Sequence, residues 1–243
     1  MKTNMTVSEK KEYWKSLHGK QKMQYVWDYY KFPIAVSLIL IYIIGYTIYG
    51  HFSKKDTILY TGLVNVSTGD QINEQLNDGF LKFMDEDTSK KDVQLYTGLY
   101  LTNDQNNPNH EYTYASQIKI LASIDGEQLD VVLMNKEAFD AFSQNGYLYN
   151  MENLLQNLAP DMMEKLRPCL ATNTVILEDN SEHLLTDDSL SYQAETKEYP
   201  MGLDMSQKGL FKQAGFEDTV YLGVIANSPH MDTAVEYIKY LFN

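Results

Sequence analysis

The sequence is poor in cysteine, which limits how the chain can be stabilised. Cys169 is the single cysteine among 243 residues, so no disulfide can form within one chain. For an exported protein, this composition favours the exterior of a monoderm bacterium over a eukaryotic secretory route. No motif surrounds Cys169, and it is most simply a buried or idle thiol.

The sequence also lacks the short motifs of common catalytic centres. It contains no Gly-x-Ser-x-Gly, Walker loop, His-Glu-x-x-His or Cys-x-x-Cys. No two histidines have the spacing of zinc ligands; they are His18, His51, His110, His183 and His230. The acidic run 85–87 is typical of a solvated helix end, and residues 103–111 lack the order of a calcium loop. We therefore expect no catalytic residue, no cofactor and no metal.

Positive charge is scarce beyond residue 31. The whole chain has a net charge of −13. The first 31 residues contain seven lysines and three acids, so they carry +4 and the remainder carries −17. An acidic remainder argues against nucleic acid and anionic lipid as its partners. It is typical of a solvated domain outside the cell.

Charge of either sign is absent from residues 32–49. As a helix, these eighteen residues would reach roughly 27 Å, close to the roughly 30 Å of a bilayer core. The uncharged run extends to Ser53 if His51 is neutral. Pro33 is expected near the helix start, where a missing N–H is tolerated. Aromatic residues flank the run on both sides, as at membrane interfaces: Tyr25, Trp27, Tyr29, Tyr30, Phe32, Tyr46, Tyr49 and Phe52.

The run therefore predicts an uncleaved transmembrane signal anchor at residues 32–52. A cleaved leader would need a shorter apolar region and a small-residue cleavage site, and no Ala-x-Ala follows the run. A lipoprotein leader would need a cysteine there. The cleaved leader and a buried helix of a soluble protein stay open as weaker alternatives.

Lysines concentrate before the run, which predicts a cytoplasmic N-terminus and an extracellular C-terminal domain in a single-pass cell-membrane protein. Residues 10–31 of the cytoplasmic tail 1–31 mix lysines with aromatic residues. This pattern favours an amphipathic helix on the inner membrane face, or equally a floppy basic segment that only sets topology. A protein-docking helix is a weaker alternative.

The outer domain, residues 53–243, alternates strand and helix patterns. The apolar and turn patterns predict strands at 56–66, 93–101 and 130–134 and helices at 71–84, 114–124 and 136–144, with a polar loop at 103–109. In helix 114–124 we expect Ile118, Leu121 and Ala122 to face inward. The alternation predicts an α/β fold in which helices cover a parallel sheet. Residues 130–134 form a continuous apolar run, so this strand should be central and buried on both faces.

Three segments carry a family resemblance. Residues 119–134 read KILASIDGEQLDVVLM, a helix end and a glycine turn before a strand; residues 138–155 read AFDAFSQNGYLYNMENLL, a helix that stops at "x-G-Y-L"; and residues 224–241 contain "A-N-S" before a closing helix. In this order they resemble bacterial extracellular solute-binding proteins of the type 2 periplasmic-binding fold. They cover about a third of the chain.

The resemblance implies two α/β lobes that close on a ligand. The first lobe would comprise residues 56–150 plus 220–243, and the second would have only residues 151–219. A full α/β lobe needs more chain, near 100 residues. We therefore expect a second lobe reduced to a helix or two and some strands.

Candidate ligand-binding residues follow from the predicted sheet, because ligands of open parallel sheets sit beyond the carboxyl ends of the strands. The resemblance adds Asp204, in the segment where the family chain crosses back between lobes. The candidates are Asn65, Ser67, Thr68, Tyr100, Thr102, Asn135, Lys136 and Asp204. The alternative is that they are ordinary loop residues.

These features predict a membrane-anchored protein that resembles a solute-binding protein, captures a ligand at the outer face and serves an ABC importer. The alternative is a non-transport sensor or structural partner in an envelope complex, with the fold kept and the ligand cleft lost. The implied partners are the membrane, a small molecule, and an ABC permease or another envelope protein. An enzyme is the least supported function.

The anchor hypothesis predicts the result of protease treatment of intact cells. Because the outer domain would lie outside the membrane, protease should remove it and leave a small membrane-bound stub. Immunoblotting with antibodies to each end of the chain measures this. Mature protein that begins near residue 50 and is free in the medium would contradict the anchor.

Overall fold

A computed structural model of the chain describes residues 6–53, 55–102, 104, 107–156, 158–184, 190–214 and 219–243. Parts of the predicted loop 103–109 and of the predicted second lobe 151–219 lie outside these residues. By its internal contacts the chain divides into two compact units, Met1–Lys54 and Lys55–Asn243. The compartments and lobes predicted from the sequence stay predictions.

The N-terminal unit consists of two helices rather than one tail followed by a span. Helix α1, Val7–Ser16, begins with a capping box in which Thr6 and Glu9 satisfy each other's backbone N–H groups. Helix α2 runs without interruption from Gly19 to Ser53. The rings of Tyr13 and Trp14 in α1 pack against Tyr25 in α2, with centroids 5.8 and 5.7 Å apart.

The position of Pro33 differs from the sequence prediction. It lies inside α2 rather than near a helix start, because the basic tail continues the same helix. The ring removes one intrahelical hydrogen bond to the carbonyl of Tyr29. Residues Gly19–Thr47 are long and apolar enough to cross a membrane.

The second unit is built on one six-stranded sheet with the order β2-β1-β3-β6-β5-β4. The strands are β1 Asp56–Val64, β2 Lys91–Leu99, β3 Val131–Met134, β4 Leu170–Asp179, β5 Ala194–Asp204 and β6 Tyr221–Val224. The prediction of strands near 56–66, 93–101 and 130–134 is confirmed. The predicted parallel sheet is confirmed in part: β1 pairs parallel to β2 and β3, whereas β6 pairs antiparallel to both β3 and β5, and β4 pairs antiparallel to β5.

Helices cover both faces of this sheet. They are α3 Asp70–Glu74, α4 Phe80–Phe83, α5 His110–Asp125, α6 Lys136–Gln144, α7 Met151–Leu155, α8 Pro160–Leu166, α9 Ser181–Leu184, α10 Gly209–Ala214 and α11 Met231–Phe242. The predicted bounds of α6 are confirmed, since Asn135 caps its first turn and Asn145 follows its last. A mixed α/β domain is thus shown, while the periplasmic-binding fold stays a prediction.

The predicted helix 71–84 is interrupted by a π-helical segment, Gln75–Gly79, between α3 and α4. Two tyrosines of α11 donate hydrogen bonds to backbone carbonyls of this segment. The hydroxyl of Tyr237 donates to Leu76 O at 3.0 Å, and that of Tyr240 donates to Gln75 O at 2.8 Å. Burial raises the pKa of Tyr237, so its hydroxyl remains a donor at any physiological pH.

The inward face of α5 differs from the prediction. Its buried residues are Thr113, Ser116, Ile120 and Ile124. Ile118 and Leu121, predicted to face inward, are 50% and 39% exposed, and Ala122 is also exposed. The helix carries apolar residues on two faces, so the spacing alone does not select the one that packs on the sheet.

The region predicted as a reduced second lobe contributes to the same sheet. Strands β4 and β5 form an antiparallel hairpin, and β5 joins β6 only through Leu203 and Asp204. Three short helices in this region, α7, α8 and α10, place residues such as Met151, Leu166 and Phe211 in one of the two apolar cores. The described part of residues 151–219 therefore extends the first lobe's sheet.

Strand β3 is central and buried on both faces, as predicted. Val131 and Leu133 belong to the core that contains Tyr237, whereas Val132 and Met134 belong to the opposite core with Phe139. All four strand residues have 0% exposure. The alternation of side chains along a strand explains why successive residues enter different cores.

Replacing Val132 by aspartate should therefore destabilise the domain severely. An unpaired carboxylate at a position with 0% exposure should cost several kcal/mol, against a typical total of about 5–15 kcal/mol. Urea unfolding of residues 55–243 measures the change. The matched control is Ile118→Asp at a half-exposed site, where we expect a change of about 0.5 kcal/mol or less. Equal effects of the two substitutions would contradict the central placement of β3.

Candidate functional site

The carboxyl ends of β1, β2 and β3 meet at one edge of the sheet, because these three strands are mutually parallel. A concavity of about 390 Å³ opens there. Its polar and aromatic lining consists of Asn65, Ser67, Tyr100, Tyr112, Asn135 and Glu137. Four of the eight candidate residues are thus brought together: Asn65, Ser67, Tyr100 and Asn135.

Asn65 connects the ends of the three strands. It follows β1 directly and has a φ of 57°, a left-handed conformation that asparagine tolerates better than most residues. Its side-chain oxygen accepts from Leu101 N at 2.8 Å, and its amide nitrogen donates to Leu101 O at 2.6 Å and to Asn135 Oδ1 at 3.1 Å. The side chain therefore fixes the segment after β2 and the segment after β3 relative to β1.

Asn135 links this edge to the start of α6. Its side-chain oxygen accepts from Ala138 N at 3.0 Å, which satisfies one of the unpaired N–H groups of the first turn. Glu137 lies in that first turn, where the helix dipole favours a carboxylate. It accepts a hydrogen bond of 2.8 Å from the hydroxyl of Thr102. The concavity is therefore bordered by a capped helix start and a carboxylate.

Two lining residues were missed by the sequence interpretation. Tyr112 was not considered because α5 was predicted to begin at residue 114 rather than at His110. Its hydroxyl bonds to the carbonyl of Gly98, a glycine in the left-handed region with φ 69°. Glu137 could have been found as the carboxylate that follows a cap residue at a strand-to-helix junction.

The other four candidates make local contacts and do not line the concavity. Thr68 donates to Asn73 Oδ1 at 2.5 Å, Lys136 forms an ion pair with Asp140, and Thr102 bonds to Glu137. Asp204 accepts from the backbone and hydroxyl of Ser206 at 2.8 and 2.6 Å. Asp204 is at the same edge, but β5 is two strands from β3, a distance of roughly 10 Å.

A second polar cluster lies at the opposite edge of the sheet, at the start of β3. The carboxylate of Asp130 has 0% exposure. Asp130 Oδ2 accepts from Tyr60 N at 2.7 Å, and Oδ1 accepts from Ser228 Oγ at 2.6 Å. The Nδ1 atom of His230 lies 3.1 Å from both oxygens. The buried charge is thus surrounded by hydrogen-bond donors from β1 and from the segment before α11.

This cluster joins two of the segments that carry the family resemblance. Asp130 follows the glycine turn of the segment 119–134, and Ser228 ends the "A-N-S" of the segment 224–241. The neighbouring Asn227 donates to Ile124 O at 2.8 Å and so satisfies a carbonyl at the end of α5. The two segments are about a hundred residues apart in the chain, and the sequence interpretation named them without predicting that they meet.

The hydrogen bonds of Ser228 in this cluster differ from those of an activated serine nucleophile. Serine nucleophiles are activated by a histidine that takes the hydroxyl proton. Here the hydroxyl of Ser228 donates to Asp130, and the Ser228 oxygen accepts from the backbone N–H of His230 at 3.0 Å. Tyr60 and Tyr96 stack beside the cluster with centroids 6.4 Å apart. Burial raises the pKa of Tyr96, and Tyr60 and Asp130 add to the effect.

No metal centre is found in the part of the chain that the structure describes. No group of three His, Cys, Asp or Glu side chains in it could hold an ion.

Comparisons with family models, curated proteins and solved structures find no match for the chain.

The Asp130 cluster predicts a large stability difference between two asparagine substitutions. Asp130→Asn replaces an acceptor by a donor that faces donors, so we expect a loss of about 3 kcal/mol or more in the free energy of unfolding. Asp56→Asn removes a surface ion pair with Lys91, which water and salt screen, so it should destabilise the fold far less. Urea unfolding of residues 55–243 measures both. Equal stabilities of the two variants would show that the cluster is dispensable.

Proposed function

We propose that the chain is a membrane-anchored domain that captures a small polar solute at the carboxyl edge of its sheet. The observation that supports this most is the convergence of the three parallel strand ends on a concavity of about 390 Å³. Small-molecule sites usually have volumes of about 300–1,000 Å³. Ligands of open α/β sheets bind at this edge.

The lining chemistry favours a neutral, hydroxyl-rich solute such as a sugar. The rings of Tyr100 and Tyr112 are tilted at 33° with centroids 6.4 Å apart, and rings of this kind offer apolar faces to a sugar ring. Ser67 and Glu137 supply hydroxyl and carboxylate oxygens. No lysine, arginine or histidine lines the concavity within the described residues, so an anionic solute has no charge partner there.

The anchor and its orientation belong to the same proposal. Helix α2 supplies a segment long and apolar enough to cross a membrane, and the excess of lysine before it favours a cytoplasmic N-terminus. The acidic second unit would then work outside the cell. A solute held there could be delivered to an importer in the same membrane.

A non-transport role in an envelope complex is the second candidate. One observation favours it: the side-chain amides of Asn65 and Asn135 bond to each other and to the backbone, so they hold the strand ends without any ligand. Asp204 is too far along the edge to close the concavity from the other side. A sensor or structural partner could keep this edge without binding a solute.

A thermal-shift screen of residues 55–243 against sugars, oligosaccharides, amino acids, peptides and anions tests the proposal. A solute at a hundred times its dissociation constant stabilises the fold by about 2.7 kcal/mol. For a domain of this size that should raise Tm by roughly 5–10 °C. We expect a shift with a sugar or oligosaccharide and none with anions.

Substitutions locate the site within the same screen. Ser67→Trp places a bulky ring in the concavity at an exposed position and should abolish the shift, and Glu137→Gln should reduce it. Asp204→Ala is the matched control on the same edge, and it should leave the shift unchanged. A stabilising solute that tolerates Ser67→Trp, or the lack of a shift with every class, would contradict capture at this concavity.

A further inference from the structure

The hairpin of β4 and β5 extends beyond the rest of the sheet. Nine residue pairs hold the two strands together. In the described chain, only Leu203 and Asp204 at the end of β5 pair with β6. Asn173 fastens the base of the hairpin to α6 by donating to Phe139 O at 3.2 Å and to Ser143 Oγ at 3.0 Å. Further out, β5 is exposed from Ala194 to Glu198. We call residues 172–179 and 194–201 the acidic ribbon.

The outer edge of β4 carries unpaired backbone groups. In the described chain β4 is the last strand of the sheet, and its only strand partner is β5. The register is unbroken from Thr174 to Ile176. In an antiparallel pair, successive residues of a strand direct their backbone groups alternately to the partner and to the other side. Alternate residues of this stretch therefore present N–H and C=O groups to the outer side, where the described chain has no further strand.

This edge has few of the usual protections against pairing. Natural edge strands are commonly blocked by proline, by lysine or by short length. Strand β4 has ten residues without a proline or a lysine. Register shifts occur only at its two ends, so residues 172–176 form a regular stretch. Leu177 and Tyr192 beside it are 47% and 54% exposed.

The ribbon also contains an electrostatic conflict. Glu178 and Glu195 are directly opposite each other in the register, so their side chains project from the same face. Like charges in this arrangement destabilise a hairpin. No described lysine, arginine or histidine forms an ion pair with either glutamate or with Glu198. Residues 170–204 contain eight acids and one lysine, a net charge of −7, and Lys197 is placed over the ring of Tyr199.

We propose that the acidic ribbon docks an extended, lysine- or arginine-bearing segment of a partner protein, which adds to β4 as a further strand. The unpaired edge supplies main-chain hydrogen bonds, as in other strand-addition complexes. The partner's cations relieve the repulsion between Glu178 and Glu195. A second copy of this chain is a poor occupant, because pairing two β4 edges would bring two such glutamate pairs together.

Peptide binding to the full chain in lipid nanodiscs tests this proposal. The probe is a short, end-blocked peptide of alternating valine and lysine with a fluorescent label, measured by anisotropy. One control peptide has glutamate in place of lysine, and another is N-methylated at alternate residues, which keeps the charge and removes the edge hydrogen bonds. We expect only the unmodified lysine peptide to bind, and more weakly as salt is raised.

Substitutions of charged residues test whether the peptide binds at the acidic ribbon. Glu178→Lys with Glu195→Lys should weaken binding of the lysine peptide about tenfold or more and allow the glutamate peptide to bind. The matched control, Glu152→Gln with Glu164→Gln, changes two exposed glutamates outside the ribbon and should alter the dissociation constant by less than about twofold. Glu178→Lys alone should raise Tm slightly, which shows independently of binding that the variant folds.

Three results would overturn the proposal. Equal binding of the N-methylated peptide would exclude strand addition, and unchanged affinity in the charge-reversed variant would place the peptide elsewhere. Sedimentation of the full chain as a dimer that Glu178→Lys disrupts would identify a second copy as the occupant. None of these results depends on the solute site, since the ribbon and the concavity share no residue.

Discussion

The buried carboxylate of Asp130 holds together three segments of the second unit. A charge with 0% exposure is tolerated only when donors replace the lost water. Here the donors come from the backbone of β1 at Tyr60 and from Ser228, with His230 at equal distance from both oxygens. Because these groups are far apart in the chain, the requirement fixes β1, β3 and the start of α11 relative to one another.

The arrangement of the opposite edge follows from the same constraint. Once β1 and β3 are paired in register from Thr61 with Val131 to Val64 with Met134, the residues after both strands must emerge side by side. Asn65 and Asn135 then come within hydrogen-bond distance, and β2 is attached through Leu101. The concavity is therefore a consequence of strand order, and its polar lining is held in place before any solute arrives.

Local sequence signals predicted the elements that depend on local physics. The apolar run 130–134 indicated a doubly buried strand, and the predicted helix 136–144 has the bounds of α6. The rule for carboxyl ends of parallel strands placed four of the eight candidate residues at the concavity. These predictions needed no knowledge of distant partners.

The features that the sequence did not predict are determined by contacts between residues far apart in the chain. The antiparallel direction of β6 depends on how the chain returns from α10, and the π-helical segment depends on Tyr237 and Tyr240 more than 150 residues later. The inward face of α5 is set by the sheet beneath it. Asp204 lies two strands from β3 because the whole hairpin of β4 and β5 is placed on the far side of β6.

We propose that the edge formed by β1, β2 and β3 binds a small polar solute. Amide NMR of residues 55–243, titrated with the sugar that stabilises the domain most, tests it directly. We expect shift changes at the backbone of Ser67 and Tyr100 and at the side-chain amides of Asn65 and Asn135, with Asp130 and β4 unaffected. Shift changes confined to β4 and β5, or spread evenly over the surface, would contradict it.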